Sequence, residues 1–255
     1  MNHRSRQLFL RKVRVALTPR STLLRTRLQN GAIVEGYNRA GYGGRGVYVF
    51  GDSLEPELCH LQHFLGRGQV FVDVGANVGV FTVKAAKEIG DDGLVIAIEP
   101  FIETACQLSH NVRANGYSNV RIRNLCIGRN TQHERLHLNK GKPNSFSLVP
   151  AGNDESVSVL SVSLDDLCRW EGLQRLDYLK IDAEGAEGAV IEGGLEAIRR
   201  FRPIVQVEVT ISNSSLSLNY RRFAAPNSMN NLFIPAEKAK AVDSAMKLGW
   251  AKISS

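Results

Sequence analysis

The chain has 255 residues, 43% apolar and 22% charged, ordinary values for a folded domain with a sizeable core. No stretch approaches the ~20 consecutive apolar residues of a membrane-spanning helix, and the four cysteines are far apart with no Cys-x-x-Cys pair, which argues against a disulfide framework and for a reduced, cytoplasmic setting. The net charge of +7 sits at one end: residues 1–34 hold seven arginines, one lysine and no acid, against 24 basic and 25 acidic residues in the remainder.

This asymmetry divides the chain into a basic arm, residues 1–45, and a nearly neutral domain, residues 46–255. In the arm, "NHRSRQLFLRKVRVALTPRSTLLRTR", Arg11, Lys12 and Arg14 interrupt what would be the apolar core of a signal peptide. The arm has the Arg-rich, Ser-bearing, acid-free composition of an organelle transit peptide. It also suits a basic amphipathic helix, ending by Pro19, that lies on an anionic membrane surface. The plainer expectation is a solvated or loosely docked extension.

From residue 47 the pattern alternates. "GVYVFG" reads as a short strand and residues 55–66 as a helix closed by Gly66 and Gly68. "QVFVDV" is a near-continuous apolar strand, as in a sheet covered on both faces. Residues 78–89 read as a helix, "LVIAIE" as a buried strand, and residues 101–115 as a helix with Ala105, Leu108 and Val112 on one face. "NVRIRNLCIG" reads as a third strand, and residues 130–162 as short antiparallel strands and loops. Ser163 is the N-cap of a short helix. "LDYLKID" is a strand, residues 185–200 a helix, "PIVQVEV" a strand, "NLFIP" a later short strand and 235–247 a final helix. Between Val209 and Tyr220 the chain is short for a crossover helix, so an irregular edge is expected there, with Tyr220–Phe223 a remnant strand. Strands alternating with helices predict an α/β fold with a doubly wound, mostly parallel sheet and an antiparallel strand near the C-terminus. In such a sheet ligands bind beyond the carboxyl ends of the strands.

The first of those ends is "VDVGANVG". Gly75 and Gly79 permit close approach of a ligand, or of helix to strand, and the next helix offers free N–H groups. Glu99 ends the following strand, 20 residues after Gly79, at the spacing of an acid that receives ribose hydroxyls. A dinucleotide loop would carry Gly-x-Gly-x-x-Gly, which lacks a counterpart here, and Asp73 suits a cationic ligand better than a pyrophosphate. S-adenosyl-L-methionine, with its ammonium and sulfonium, is the expected cofactor.

"FVDVGANVGVFTVKAA", "GLVIAIEPF", "VSLDDL", "LDYLKIDAEGAEGAVIEGG" and "RPIVQVEV" resemble, in that order, the FkbM family of S-adenosylmethionine-dependent methyltransferases. The resemblance runs from about residue 47 to 210 and implies a Rossmann-like class I methyltransferase fold and O-methylation of a hydroxyl on a small molecule, sugar or glycan. Carried over by position, it implies that Asp73, Gly75, Asn77 and Gly79 line the methionine end, that Glu99 holds the ribose, and that Asn124 lies at the adenine edge.

Methyl transfer to a hydroxyl needs alignment and a destination for the proton. Asp182, after "DYLKI", and Glu208, near the end of "PIVQVEV", are the expected catalytic carboxylates. Two acids on adjacent strand ends are also of the kind that holds Mg²⁺. Glu184 and Glu187 read as weaker candidates, or as helix-start acids, one of them pairing Lys180. His60 with His63, and His133 with His137, lack a third ligand and read as surface pairs. "KPNSFSLVP", with Ser145, reads as part of an acceptor wall. Rival readings are an RNA methyltransferase and a degenerate, non-catalytic cofactor binder. Nucleic acid is not the expected partner, because the arm lacks interleaved aromatics and "IDAEGAE" stands where an exocyclic-amine enzyme carries its Asn/Asp-Pro-Pro loop.

Overall fold

The computed structural model describes residues 3–39, 43–138, 146–147, 156–208 and 219–253. Helix α1 (His3–Leu17) precedes an antiparallel hairpin of β1 (Leu23–Arg27) and β2 (Ile33–Tyr37). Helix α2 (Gly44–Phe50), a 3-10 turn, α3 (Pro56–His60) and a second 3-10 turn lead to β3 (Val70–Val74). Then come α4 (Val80–Ile89), β4 (Leu94–Ile98), α5 (Ile102–Ala114) and β5 (Val120–Arg123). A smaller sheet follows, built from β6 (Cys126–Gly128), β7 (Gln132–Leu138), β8 (Phe146–Ser147) and β9 (Ser156–Ser163). The chain continues through α6 (Leu164–Trp170), β10 (Tyr178–Ile181), α7 (Glu187–Glu192), α8 (Leu195–Phe201) and β11 (Ile204–Glu208). It ends with β12 (Tyr220–Ala224), β13 (Asn230–Pro235), α9 (Ala239–Lys247) and β14 (Ala251–Ile253).

Among the described residues, eight strands form the main sheet in the order β14-β12-β13-β11-β10-β3-β4-β5. The pairs from β11 to β5 are parallel. Strand β13 lies antiparallel between β11 and β12, so β12 runs with the parallel set, and β14 is reversed at the edge. The doubly wound, mostly parallel sheet predicted from the alternation is therefore the fold, with two reversed strands near the C-terminus where one was expected. Winding reverses between β3 and β10, which opens a crevice at their carboxyl ends.

Both faces of the sheet are buried, which is why its strands read as unbroken apolar runs. On one face Phe71, Val95, Tyr178 and Ile204 pack with Leu58, Phe81 and Leu108. On the other Val72, Ile96, Leu179 and Val205 pack with Leu167, Val190 and Ile198.

Three elements depart from the expectation. "GVYVFG" lies in helix α2, not a strand. Short apolar runs do not distinguish the two, and here Gly44 packs so tightly on Gly36 of β2 that neither position admits a Cβ. The third strand splits at Asn124: β5 ends the main sheet and β6 pairs in parallel with β9. The helix expected over 185–200 is two helices, because Gly193 lies against the Gly128 carbonyl and Gly194 against Leu164.

The hairpin from the basic arm is pinned to α5 by two amides that imitate strand pairing. Asn111 accepts from Glu35 N and donates to Glu35 O, both at 2.9 Å, and Asn115 does the same with Ile33 at 2.7 Å. A buried ion pair between Lys84 of α4 and Asp52 closes the same region, and Asp52 also accepts from Gln29 N at 2.8 Å. The connection expected to be irregular, residues 209–218, lies outside the described residues; β12 itself is a full strand of five residues.

Candidate functional site

The site grows from the turn after β3. The N–H groups of Gly75 and Ala76 both donate to Ile98 O of β4, at 3.0 and 2.9 Å. Gly75 has φ +75°, and a Cβ there would overlap the Asp182 carbonyl oxygen, so only glycine lets the ends of β3 and β10 meet. Asn77, at φ +50°, caps its own turn by accepting from Val78 N at 2.8 Å. Gly79 serves packing, because a side chain there would strike Leu108 of α5.

Glu99 is 6% exposed and accepts from Asn77 N at 2.9 Å and Phe101 N at 3.0 Å. Burial pushes its carboxyl up to about 7, against the two N–H donors. A pocket opens beside it, bounded by Gly75, Asn77, Glu99 and Pro100 on one side and by Asp182, Ala183 and Glu184 on the other. Leu125, Cys126 and Ile127 at β6 and Leu136 of β7 supply an apolar wall.

The structure thus brings Gly75, Asn77, Glu99 and Asp182 together around one pocket. Asp73 lies below it, fully buried. It accepts from Thr82 Oγ1 at 2.6 Å and faces Lys180 Nζ at 3.6 Å. Burial raises its pKa, with Lys180 and Thr82 opposing. Asn124 does not line the pocket; its amide donates to Glu99 O and Pro100 O, both at 2.9 Å, and so holds the loop after β4.

Lys180 is the hinge of the charges. Its Nζ donates to Asp182 Oδ2 at 3.1 Å and lies over the Phe81 ring at 5.2 Å. Burial opposes its charge, but Asp182, Asp73 and Glu55 outweigh that and hold it protonated. Lys180 pairs with Asp182 and Asp73, and among the described residues it forms no ion pair with Glu187. Glu187 instead accepts from Ala183 N and Gly185 N, at 3.1 and 3.0 Å, which shapes the loop after β10. Glu208 stands apart from the pocket, half-buried at the end of β11; burial, Asp182 and Glu187 raise its pKa.

Two acids escape the sequence reading. Glu55, just ahead of α3, accepts from Asn230 Nδ2 at 3.3 Å, and burial pushes its carboxyl up to about 7, with Asp182 and Glu57 adding and Lys180 opposing. Glu57 is 1% exposed, neither of its oxygens has a hydrogen-bond partner, and burial raises its pKa, with Ser228, its own backbone and Asn230 opposing. The available signal is an acid inside the apolar helical pattern that includes Leu58 and Leu61.

The rings of His60 and His63 lie 5.9 Å apart and tilted at 49°, and His60 makes an edge contact with Trp250. Among the described residues no group of three or more His, Cys, Asp or Glu side chains is arranged to hold a metal, and Asp182 with Glu208 forms none. Ser145 lies outside the described residues.

A doubly wound sheet, with its glycine turn, strand-end acid and pocket on the same edge, is the class I methyltransferase fold. The chain belongs to the FkbM methyltransferase family: the model of the methyltransferase FkbM domain matches residues 73–223. Among solved structures it is similar to the methyltransferase FkbM from Methylobacillus flagellatus KT, with 19% identity and a TM-score of 0.48 over 74% of this chain. The chain spans 53% of that protein's length. It is also similar to a putative rRNA methylase from Clostridium thermocellum (9% identity, TM-score 0.43, 69% of this chain and 89% of that one). A third likeness is to a SAM-dependent O-methyltransferase from Thermotoga maritima (11% identity, TM-score 0.39, 69% of this chain and 62% of that one). These likenesses are too distant to carry a substrate. No curated protein matches the chain.

Proposed function

We propose that this chain is an S-adenosyl-L-methionine-dependent methyltransferase that methylates a hydroxyl of a small molecule, sugar or glycan. The observation that carries the reading is a single pocket lined by Gly75, Asn77, Glu99 and Asp182 at the point where the sheet reverses its winding. The residues fit such a cofactor. Gly75 leaves the backbone bare where a Cβ would fill the gap to β10. Each Glu99 oxygen accepts one backbone N–H and keeps a lone pair for a ribose hydroxyl. When bound, the cofactor supplies a methyl group already activated by its sulfonium leaving group.

The protein's own work is then alignment and proton management. Asp182, fixed by Lys180, stands at the pocket's edge and attracts a cationic centre. The acceptor hydroxyl is nearly as weak an acid as water, whose pKa is about 15.7, so a carboxylate near neutrality is a useful base. Asp182 lines the pocket and takes the role of base; Glu55, with a carboxyl pushed up to about 7, and Glu208, its pKa raised by burial, stand outside the pocket lining and act on Asp182 through their charge.

Incubation with methyl-labelled S-adenosyl-L-methionine and a panel of polyols, sugars, glycans and RNA tests the reading. The expected result is label on a hydroxyl acceptor, falling tenfold or more in Asp182→Asn. Label confined to RNA, or cofactor binding with no transfer to any acceptor, overturns it.

A further inference from the structure

Helix α1 carries two apolar stripes, and the fold uses only one. At 3.6 residues per turn, Leu8, Arg11 and Val15 share the side that meets α2 and β1. Val15 is 5% exposed in a cluster with Leu24 and Val49, and Leu8 and Tyr48 pack against that cluster. Arg11 donates to Tyr48 O at 3.1 Å and lies over its ring. The opposite side carries Phe9, Val13, Ala16 and Leu17, spaced i, i+4, i+7 and i+8, with Leu10 at its margin. Phe9 is 57% exposed, Leu10 56% and Leu17 79%, so the large side chains of this stripe stand in water.

Basic residues edge the stripe. Arg6 lies within it, and Lys12 and Arg14 flank it, near the rings of Phe50 and Tyr48. No acid occurs before Glu35. We propose that this face of α1 docks the protein on an anionic phospholipid surface, with Phe9, Val13 and Leu17 entering the headgroup–acyl boundary and Arg6, Lys12 and Arg14 lying among the phosphates. Charge decides between occupants. A second copy would bring two acid-free basic helices together, and like charges at such a contact repel. An anionic bilayer answers both the apolar stripe and its basic border. The helix lies on the surface and does not cross it, since no helix among the described residues is long and apolar enough to span a membrane.

The test is co-sedimentation of the full chain with vesicles of phosphatidylcholine alone and of phosphatidylcholine mixed with phosphatidylglycerol. A Phe9→Ser/Leu17→Ser variant is run in parallel, its fold checked by circular dichroism. Both changes are at exposed positions, so the variant should fold. The expected result is binding to the anionic vesicles only, weakened by salt and lost tenfold or more in the variant. Three results overturn the proposal: no sedimentation with anionic vesicles, equal binding by wild type and variant, or a wild-type dimer that the variant dissolves while vesicles bind neither. None of these depends on methyltransferase activity.

Discussion

Glu55 shows how one residue's setting converts to a measurable pH response. Its carboxyl sits at about 7 when folded, against an ordinary 4.5, because burial and the neighbouring Asp182 and Glu57 outweigh Lys180. A raised carboxyl pKa means the folded protein keeps a proton that the unfolded chain releases. Stability from this site is therefore greatest below the ordinary value and falls as pH rises through about 7. Thermal melts across that window should show wild type losing Tm relative to Glu55→Gln as pH increases. Glu99 shifts in the same direction but is present in both proteins, so it cancels in the comparison. Parallel Tm profiles would contradict the buried setting of Glu55. Not every site residue was equally legible at this scale. Gly75, Asn77 and Glu99 announce themselves by spacing along adjacent strand ends. Glu55 and Glu57 do not: they lie outside the pocket lining, and Ser228 and Asn230 come to them only when the chain folds back into β13. Asn124 was legible as a strand-end polar group, but its amide turns to the backbone of the β4 loop.

Elements follow their sequence where local pattern and tertiary setting agree. The alternation from β3 to β5 is read correctly because both faces of each strand are covered and each intervening helix has one apolar stripe. It fails where a glycine contact decides. Gly36 on Gly44 makes a helix of a run rich in valine and aromatics, and Gly193 with Gly194 breaks a helix that periodicity would continue. The arm, expected as a solvated or loosely docked extension, is instead tied into the fold by side chains. Its hairpin carries Leu24, Leu28 and Val34 as fully covered core, and its partners Asn111, Asn115 and Asp52 lie far away in sequence. The Asp52–Lys84 pair gives a test of that docking. Both side chains are almost fully buried, at 3% and 2% exposure. Replacing Lys84 by Met strands the Asp52 charge and should cost about 3–5 kcal/mol in denaturant unfolding. A loss below about 1 kcal/mol would mean the pair behaves as a surface ion pair.

At the scale of the whole molecule, the sheet and the pocket are one construction. Winding reverses between β3 and β10, and two acids that line the pocket, Glu99 and Asp182, stand on strand ends either side of β3. Ile127 and Leu136 of the smaller sheet, with Leu125 just ahead of it, close the pocket with an apolar wall. This wall was the least legible part of the site, since β6 continues a strand pattern and changes sheet at a single asparagine. In the proposed reading the pocket receives S-adenosyl-L-methionine through Glu99. Calorimetric titration of wild type and Glu99→Ala with the cofactor and with its demethylated product tests it directly. Wild type should bind both, with affinity weakened tenfold or more in the variant, a loss of about 1.4 kcal/mol or greater. Equal affinities, or no binding by wild type, would contradict it.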